Sequence, residues 1–248
     1  MARGGCGGRE DLILGNRMNL TMIEFRGDEM VNFDPEKTEI IFFDLEFYVP
    51  VEDRNKKGAS LLANPCKDKH YLLGGVFAKY KPLKKDEIVY THFWIWKDKD
   101  EKSVLKGINH YIQSSWAPLE DKDPQQADLI FCGVGISRFD VPTLFIRSCV
   151  QKIAPEEKLF ECYFKTKQLD FSNIAIPFFK KDKVMYPKSI NQIFDKLSIP
   201  KRKDSGMKVW EMYDEKKYPD IECRTEGEVR DCVELYRILL ERIQYIEQ

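Results

Sequence analysis

The feature that most constrains this chain is a pair of acids inside an apolar segment, EIIFFDLEFYV, at residues 39–49. Its aromatic and β-branched residues are typical of a β-strand. Because side chains alternate across a strand, Asp44 and Glu46 share one face, and the large apolar residues beside them share the other. Two like charges on a buried face repel and lose their water, and a bound divalent cation removes both penalties. The alternative is a strand end that reaches solvent, where both acids are hydrated.

The remaining chain predicts one α/β domain with a mixed β-sheet flanked by helices. We expect this domain to span residues 35–248, and residues 1–34, which are polar and Gly-rich at the start, to form a loosely structured extension. A polar insert at residues 50–69 is expected to be a surface loop. The other predicted strands are residues 70–80, 87–96, 127–134 and a short edge strand at 168–174, and the predicted helices are residues 101–114, 141–153, 189–197 and 226–246.

Composition excludes several classes of protein. The chain has 248 residues, 43% of them hydrophobic, which is enough for one good core. No apolar run reaches the roughly 18 residues needed to span a bilayer, and no apolar stretch at the N-terminus resembles a secretory signal. Seven cysteines without CxxC pairs favour free thiols in a reducing compartment. We therefore expect a cytoplasmic protein that makes no membrane contact.

The net charge limits how the protein can bind a polyanion. Lys and Arg total 40 and Asp and Glu total 41, so the net charge is -1. Attraction of the whole molecule to nucleic acid is therefore weak. Any such binding must use local basic patches or bound metal ions.

A second acid follows the predicted buried strand at residues 127–134. The segment GVGISRFDVPTL turns on two glycines and enters a helix, with Asp140 at or just before the first helical turn. From spacing alone, Asp140 is a helix N-cap, with Pro142 in the tolerated first turn.

Taken together, three motifs resemble those of the DEDD 3′–5′ exonucleases. They are FFDLEF, then GVGISRFDVPTL, whose acid lies 96 positions on (140 − 44), then GEVRDCVELYRILL, whose Asp231 lies 91 further on (231 − 140). Over roughly residues 39–240, the chain is most similar to the proofreading exonuclease domain of family B DNA polymerases and its stand-alone relatives. The resemblance implies a ribonuclease H-like fold.

It also implies a function and a site. Two divalent cations, Mg²⁺ or Mn²⁺, about 4 Å apart would be held by Asp44, Glu46, Asp140 and Asp231, with Asp44 shared between them. The implied partner is a nucleic acid with a free 3′ end, single-stranded DNA ahead of RNA, and a separate polymerase or repair protein is a further possible partner. Candidate nucleic-acid contacts are Phe47, Phe139 and Ser137, where both phenylalanines have core packing as the alternative.

The chain departs from the family pattern in ways that keep other functions open. The family has Tyr four residues, or His five residues, before its last Asp, where this chain has Gly227 and Glu226. Gly135 replaces the usual Asn of the second motif, and Phe47 replaces a Thr. The alternatives are a catalytically impaired ribonuclease H-like module that binds nucleic acid or protein, and a structural domain whose acids cap turns.

Helical periodicity also disagrees with the choice of Asp231. At about 100° per residue, the apolar stripe of the last helix centres roughly 140° away from Asp231, which predicts a solvated position. Glu228 and Glu234 are neighbouring acids that are similar candidates for the fourth carboxylate. The family pattern, not the helical wheel, selects Asp231.

Overall fold

The computed structural model describes residues 36–54, 63–84, 87–120, 128–179, 189–200 and 208–246, together with residues 181 and 187. The predicted N-terminal extension, residues 1–34, lies outside these residues, as does the middle of the predicted loop between the first two strands. Within the described residues the chain forms five strands, nine α-helices and one short 3-10 turn at Val51–Asp53.

The five strands form one mixed sheet in the order β3-β2-β1-β4-β5. The central strand β1 pairs antiparallel with β2 and parallel with β4, and the edge strands β3 and β5 complete the sheet. This sheet, flanked by helices, has the architecture of the ribonuclease H-like fold, and it confirms the predicted fold class. The strands are β1 (Thr38–Tyr48), β2 (Tyr71–Tyr80), β3 (Val89–Trp94), β4 (Asp128–Gly133) and β5 (Lys167–Asp170).

The helices cover both faces of the sheet. They are α1 (Ile95–Asp98), α2 (Glu101–Glu120), α3 (Asp140–Val150), α4 (Glu156–Phe164), α5 (Phe171–Ile174), α6 (Ile176–Phe179), α7 (Ile190–Leu197), α8 (Val209–Asp214) and α9 (Tyr218–Ile246). None of these described helices is long and apolar enough to cross a membrane.

Side-chain alternation along β1 divides the core in two. Ile40 and Phe42 pack with residues of α5 to α9, whereas Ile41, Phe43 and Leu45 pack with residues of α2, α3 and α4. The even-numbered face of β1 therefore looks toward α9. Asp44 belongs to that face, so its side chain points to the layer that contains the longest helix.

Several elements differ from prediction, and the largest differences are in α2, α4, α9 and the edge strand. Helix α2 continues to Glu120 rather than ending at residue 114, and α9 begins at Tyr218 rather than at residue 226. Pro219 is compatible with this earlier start because the first turn of a helix needs no proline N–H. The predicted edge strand ends at Asp170, where α5 begins. Helix α4 was not predicted, since its nine residues give only one short apolar stripe.

The sheet is open beside the two acids of β1. Strand β4 pairs with β1 only as far as Phe42, so the edge of β1 beyond that residue is available to the chain that follows β4. On the other edge, a Cβ at Gly75 would lie 2.4 Å from the Asp44 carbonyl oxygen, so only glycine allows β2 to approach this closely. The strand register also shifts between Glu46 and Phe47.

Candidate active site

Three carboxylates from two distant parts of the chain meet above β1. Oxygen atoms of Asp44 and Glu46 on β1 and of Glu228 on α9 all lie within 4.8 Å of one another. The helix meets the strand at Thr225, a fully buried residue whose hydroxyl can donate to Glu46 Oε1 at 3.0 Å or to the Ile221 carbonyl oxygen at 2.9 Å. The even-numbered face of β1 and one flank of α9 thus build this acid cluster, which we define as Asp44, Glu46 and Glu228.

Asp140 lies beside the acid cluster. It is the first residue of α3 and is 6% exposed, and its carboxylate accepts a hydrogen bond from the Leu45 backbone N–H. This contact is possible because β4 no longer pairs with β1 at that level. The N-cap of α3 is Phe139, so the N-cap position predicted for Asp140 from spacing alone is corrected.

Burial and mutual repulsion raise the pKa values of Asp44, Glu46 and Asp140. Burial, followed by repulsion from Glu228 and Glu46, raises the pKa of Asp44 well above its ordinary value. Burial and repulsion from Glu228 raise the pKa of Glu46 to about 8, and burial raises the pKa of Asp140 to about 8. The donors are carboxylate oxygens, the ligands that Mg²⁺ and Mn²⁺ prefer, and a dication would offset the repulsion. The four side chains therefore fit divalent metal binding.

Asp231 does not belong to the acid cluster. It lines a different cavity, together with Tyr90 and Arg230, whereas the acid of α9 that meets Asp44 and Glu46 is Glu228. The reason is the rotation of α9 about its axis. Thr225 and Val229 are fully buried against the sheet, and Glu228 lies about 60° from Thr225 around the helix, whereas Asp231 lies about 120° away.

The turn that delivers Asp140 is held by an acid that the sequence did not single out. Asp170, at the end of β5, is 4% exposed and accepts hydrogen bonds from the backbone N–H groups of Gly135 at 2.8 Å and Ser137 at 3.0 Å. Its carboxylate also accepts from the Ser137 hydroxyl at 2.5 Å and from the Ser172 backbone N–H at 2.9 Å. Ser137, a predicted nucleic-acid contact, therefore has its hydroxyl engaged within the turn.

The two candidate stacking residues pack against each other. The rings of Phe47 and Phe139 are 4.9 Å apart between centroids and nearly perpendicular. Phe47 is 9% exposed and belongs to the core beneath the sheet, which agrees with the packing alternative and leaves little of its ring for a base. Phe139 is half-buried, so part of its ring is accessible.

A cavity of about 200 Å³ adjoins the acid cluster. It lies between α7 and α9 and includes Asp44 and Glu228 in its wall. Arg224 also lines it, and its Nε donates to Glu228 Oε1 at 3.0 Å. Arg224 lies four residues before Glu228, one helical turn away on α9. The residues that line the cavity, which we call the α7–α9 cavity, are Phe43, Asp44, Val134, Ser189, Ile190, Asn191, Arg224, Glu228 and Cys232.

Sequence reasoning missed Thr225, Asp170 and Arg224 as contributors to this site. Each acts through a contact with a residue remote in sequence or on a neighbouring turn, and none carries a local signal. Only Glu228 could have been predicted from the sequence, because it is an acid near Asp231 that lies closer than Asp231 to the apolar stripe of the helix.

Comparison of the chain with models of known protein families finds no match, and no curated protein matches it significantly.

Proposed function

We propose that this protein is a metal-dependent 3′–5′ exonuclease that hydrolyses phosphodiester bonds, with single-stranded DNA favoured over RNA. The observation that carries the proposal is the convergence of Asp44, Glu46 and Glu228 to within 4.8 Å, with Asp140 buried beside them. Like charges this close together destabilise one another, and a bound dication would offset that repulsion. A separate polymerase or repair protein is proposed as a partner.

In this proposal, Asp44, Glu46, Asp140 and Glu228 hold two divalent cations. Bound there, the cations would lower the pKa of the attacking water and stabilise the leaving 3′-oxygen. Thr225 keeps Glu46 in position through its hydroxyl. The cations would also supply the local positive charge that a protein of net charge -1 otherwise lacks.

The test is shortening of a single-stranded DNA oligonucleotide that carries a label at its 5′ end. We expect a ladder of shorter labelled products with Mn²⁺ or Mg²⁺ and intact substrate with EDTA. Asp44→Ala should abolish the ladder. Activity that survives this substitution would indicate a contaminant or another site, and a label released in one step would indicate attack from the 5′ end.

A catalytically impaired module that binds nucleic acid or protein is the second candidate function. It is favoured by Arg224, since an arginine has only donors and cannot accept a hydrogen bond from an attacking water as a Tyr or His can. Titration with Mn²⁺ in a calorimeter separates the two candidates. An active enzyme should bind two ions, whereas loss of one ion site together with intact oligonucleotide would favour the impaired module.

A further inference from the structure

The α7–α9 cavity contains polar groups that the proposed metal chemistry does not use. Opposite α9, its wall is formed by Ser189 and Asn191 at the start of α7. Ser189 is the N-cap residue of α7, but its hydroxyl makes no capping hydrogen bond. The Oδ1 atom of Asn191 is buried without a hydrogen-bond partner. A buried acceptor without a donor is costly, so Asn191 is a candidate for a hydrogen bond to a ligand.

Charge is distributed unevenly along this cavity. Asp44 and Glu228, where cations are expected, line it together with Arg224, which brings a guanidinium group to the same wall as Glu228. The Arg224 side chain is 28% exposed and is anchored through Nε to Glu228. Arginine presents five N–H donors in a planar fork, a geometry that suits phosphate oxygens. An anion bound by the cations would therefore also lie near a fixed arginine.

The size of the cavity limits what it can hold. Its volume of about 200 Å³ is below the roughly 300 Å³ at which pockets begin to enclose drug-sized ligands. A pentose with its phosphate fits this space better than a complete nucleotide, so the base would remain outside. The terminal amide of Asn turns over a broad range of χ2, which lets the Asn191 acceptor meet a donor on the sugar.

We propose that the α7–α9 cavity is the subsite for the sugar and phosphate of the 3′-terminal nucleotide. Arg224 binds the phosphate, and Asn191 accepts a hydrogen bond from a sugar hydroxyl. This inference depends on the proposed nuclease function. The hydroxyl is either the 3′-hydroxyl, which DNA and RNA share, or the 2′-hydroxyl, which only RNA carries.

The experiment measures binding of product nucleotides in the presence of Mn²⁺ by calorimetry, which requires no turnover. The ligands are AMP, dAMP and 2′,3′-dideoxy-AMP. Asn191→Leu should weaken the ligands that carry the recognised hydroxyl about two- to tenfold and leave the dideoxy nucleotide unchanged. Weaker AMP and dAMP would identify the 3′-hydroxyl, and weaker AMP alone the 2′-hydroxyl.

Arg224→Gln should weaken all three nucleotides by about tenfold or more, because each carries the phosphate. The matched control is Gln192→Leu, at an exposed position next to Asn191 in the same helix, which should bind all three as the wild type does. Circular dichroism of each variant checks that it folds, and Asn191→Ala repeats the test if Asn191→Leu does not.

Three outcomes show which of the two proposals fails. If the wild-type protein shortens the oligonucleotide but the Asn191 and Arg224 variants bind nucleotides normally, the subsite is refuted and the nuclease stands. Equal weakening of the dideoxy nucleotide by Asn191→Leu would likewise refute the sugar contact. If the wild type neither binds a nucleotide nor shortens the oligonucleotide, both proposals fail.

Discussion

Two neutral substitutions on the same helix, Glu228→Gln and Asp231→Asn, give the sharpest test of the site. Each replaces a carboxylate by an amide of nearly the same shape, three residues apart on α9. Glu228→Gln removes a charge from the acid cluster, whereas Asp231→Asn removes one from a different cavity. We therefore expect opposite behaviour in the metal-free and metal-loaded states.

The magnitude follows from the separations in the acid cluster. At 4.8 Å, two ionised carboxylates repel by about 3 kcal/mol when the effective dielectric constant is about 20. Near pH 8 the neighbour Glu46 is only about half ionised, because its pKa is about 8. Loss of the partly exposed ion pair with Arg224 offsets about 0.5 kcal/mol. Glu228→Gln should therefore stabilise the metal-free protein by about 1 kcal/mol, or roughly 2–4 °C in Tm.

Differential scanning calorimetry with EDTA and with saturating Mn²⁺ measures both effects. The wild type and Asp231→Asn should gain stability on adding Mn²⁺, because an ion that binds only the folded state stabilises it. Glu228→Gln should start from a higher Tm in EDTA and gain much less. If Mn²⁺ stabilises Glu228→Gln as strongly as the wild type but no longer stabilises Asp231→Asn, Asp231 is the ligand and the assignment of Glu228 is refuted.

Three further predictions concern the residues around the acid cluster. The folded-state pKa values of Glu46 and Asp140, about 8, exceed their unfolded values near 4, so the folded state binds more protons in this range. The metal-free protein should therefore lose stability as pH rises from about 4 to about 8. Thermal melts in EDTA that show no such loss would contradict this. Asp170→Ala should lower the free energy of unfolding by about 3 kcal/mol in urea titrations, because it removes the hydrogen bonds that hold the turn before Asp140. It should also weaken Mn²⁺ binding, and unchanged Mn²⁺ affinity would exclude this positioning role. Thr225→Val should leave the free energy of unfolding, measured by urea titration, within about 1 kcal/mol of the wild-type value. It should weaken Mn²⁺ binding several-fold in calorimetry, because Glu46 loses a hydrogen bond that favours its ionised form. Equal Mn²⁺ affinity would count against that role.

Much of the fold was predictable because local patterns and packing agree. The continuous apolar segment before Gly133 predicted a buried strand, and β4 is a parallel strand covered on both faces. Alternation along β1 correctly placed Asp44 and Glu46 together on one face. Helix α4 escaped prediction, because its short apolar stripe of Leu159, Cys162 and Tyr163 becomes informative only against the neighbouring α3.

The fourth acid illustrates where motif spacing and physical periodicity diverge. Motif spacing selected Asp231, whereas the helical wheel already indicated that Asp231 faces away from the apolar stripe. The structure agrees with the wheel, since burial of Thr225 and Val229 sets the rotation of α9 and brings Glu228 to the strand. The contribution of Asp170 could not be predicted, because its partners Gly135 and Ser137 lie more than 30 residues away in sequence.

By itself, the sequence determined which face of β1 carries the two acids, since alternation along a strand is a local property of the backbone. It also determined the order along the chain of the five strands that form the mixed sheet. Only the tertiary structure decided which acid of α9 completes the cluster and which side chains surround the α7–α9 cavity. Those outcomes depend on how packed elements rotate and approach each other, which is a property of the whole core rather than of any one segment.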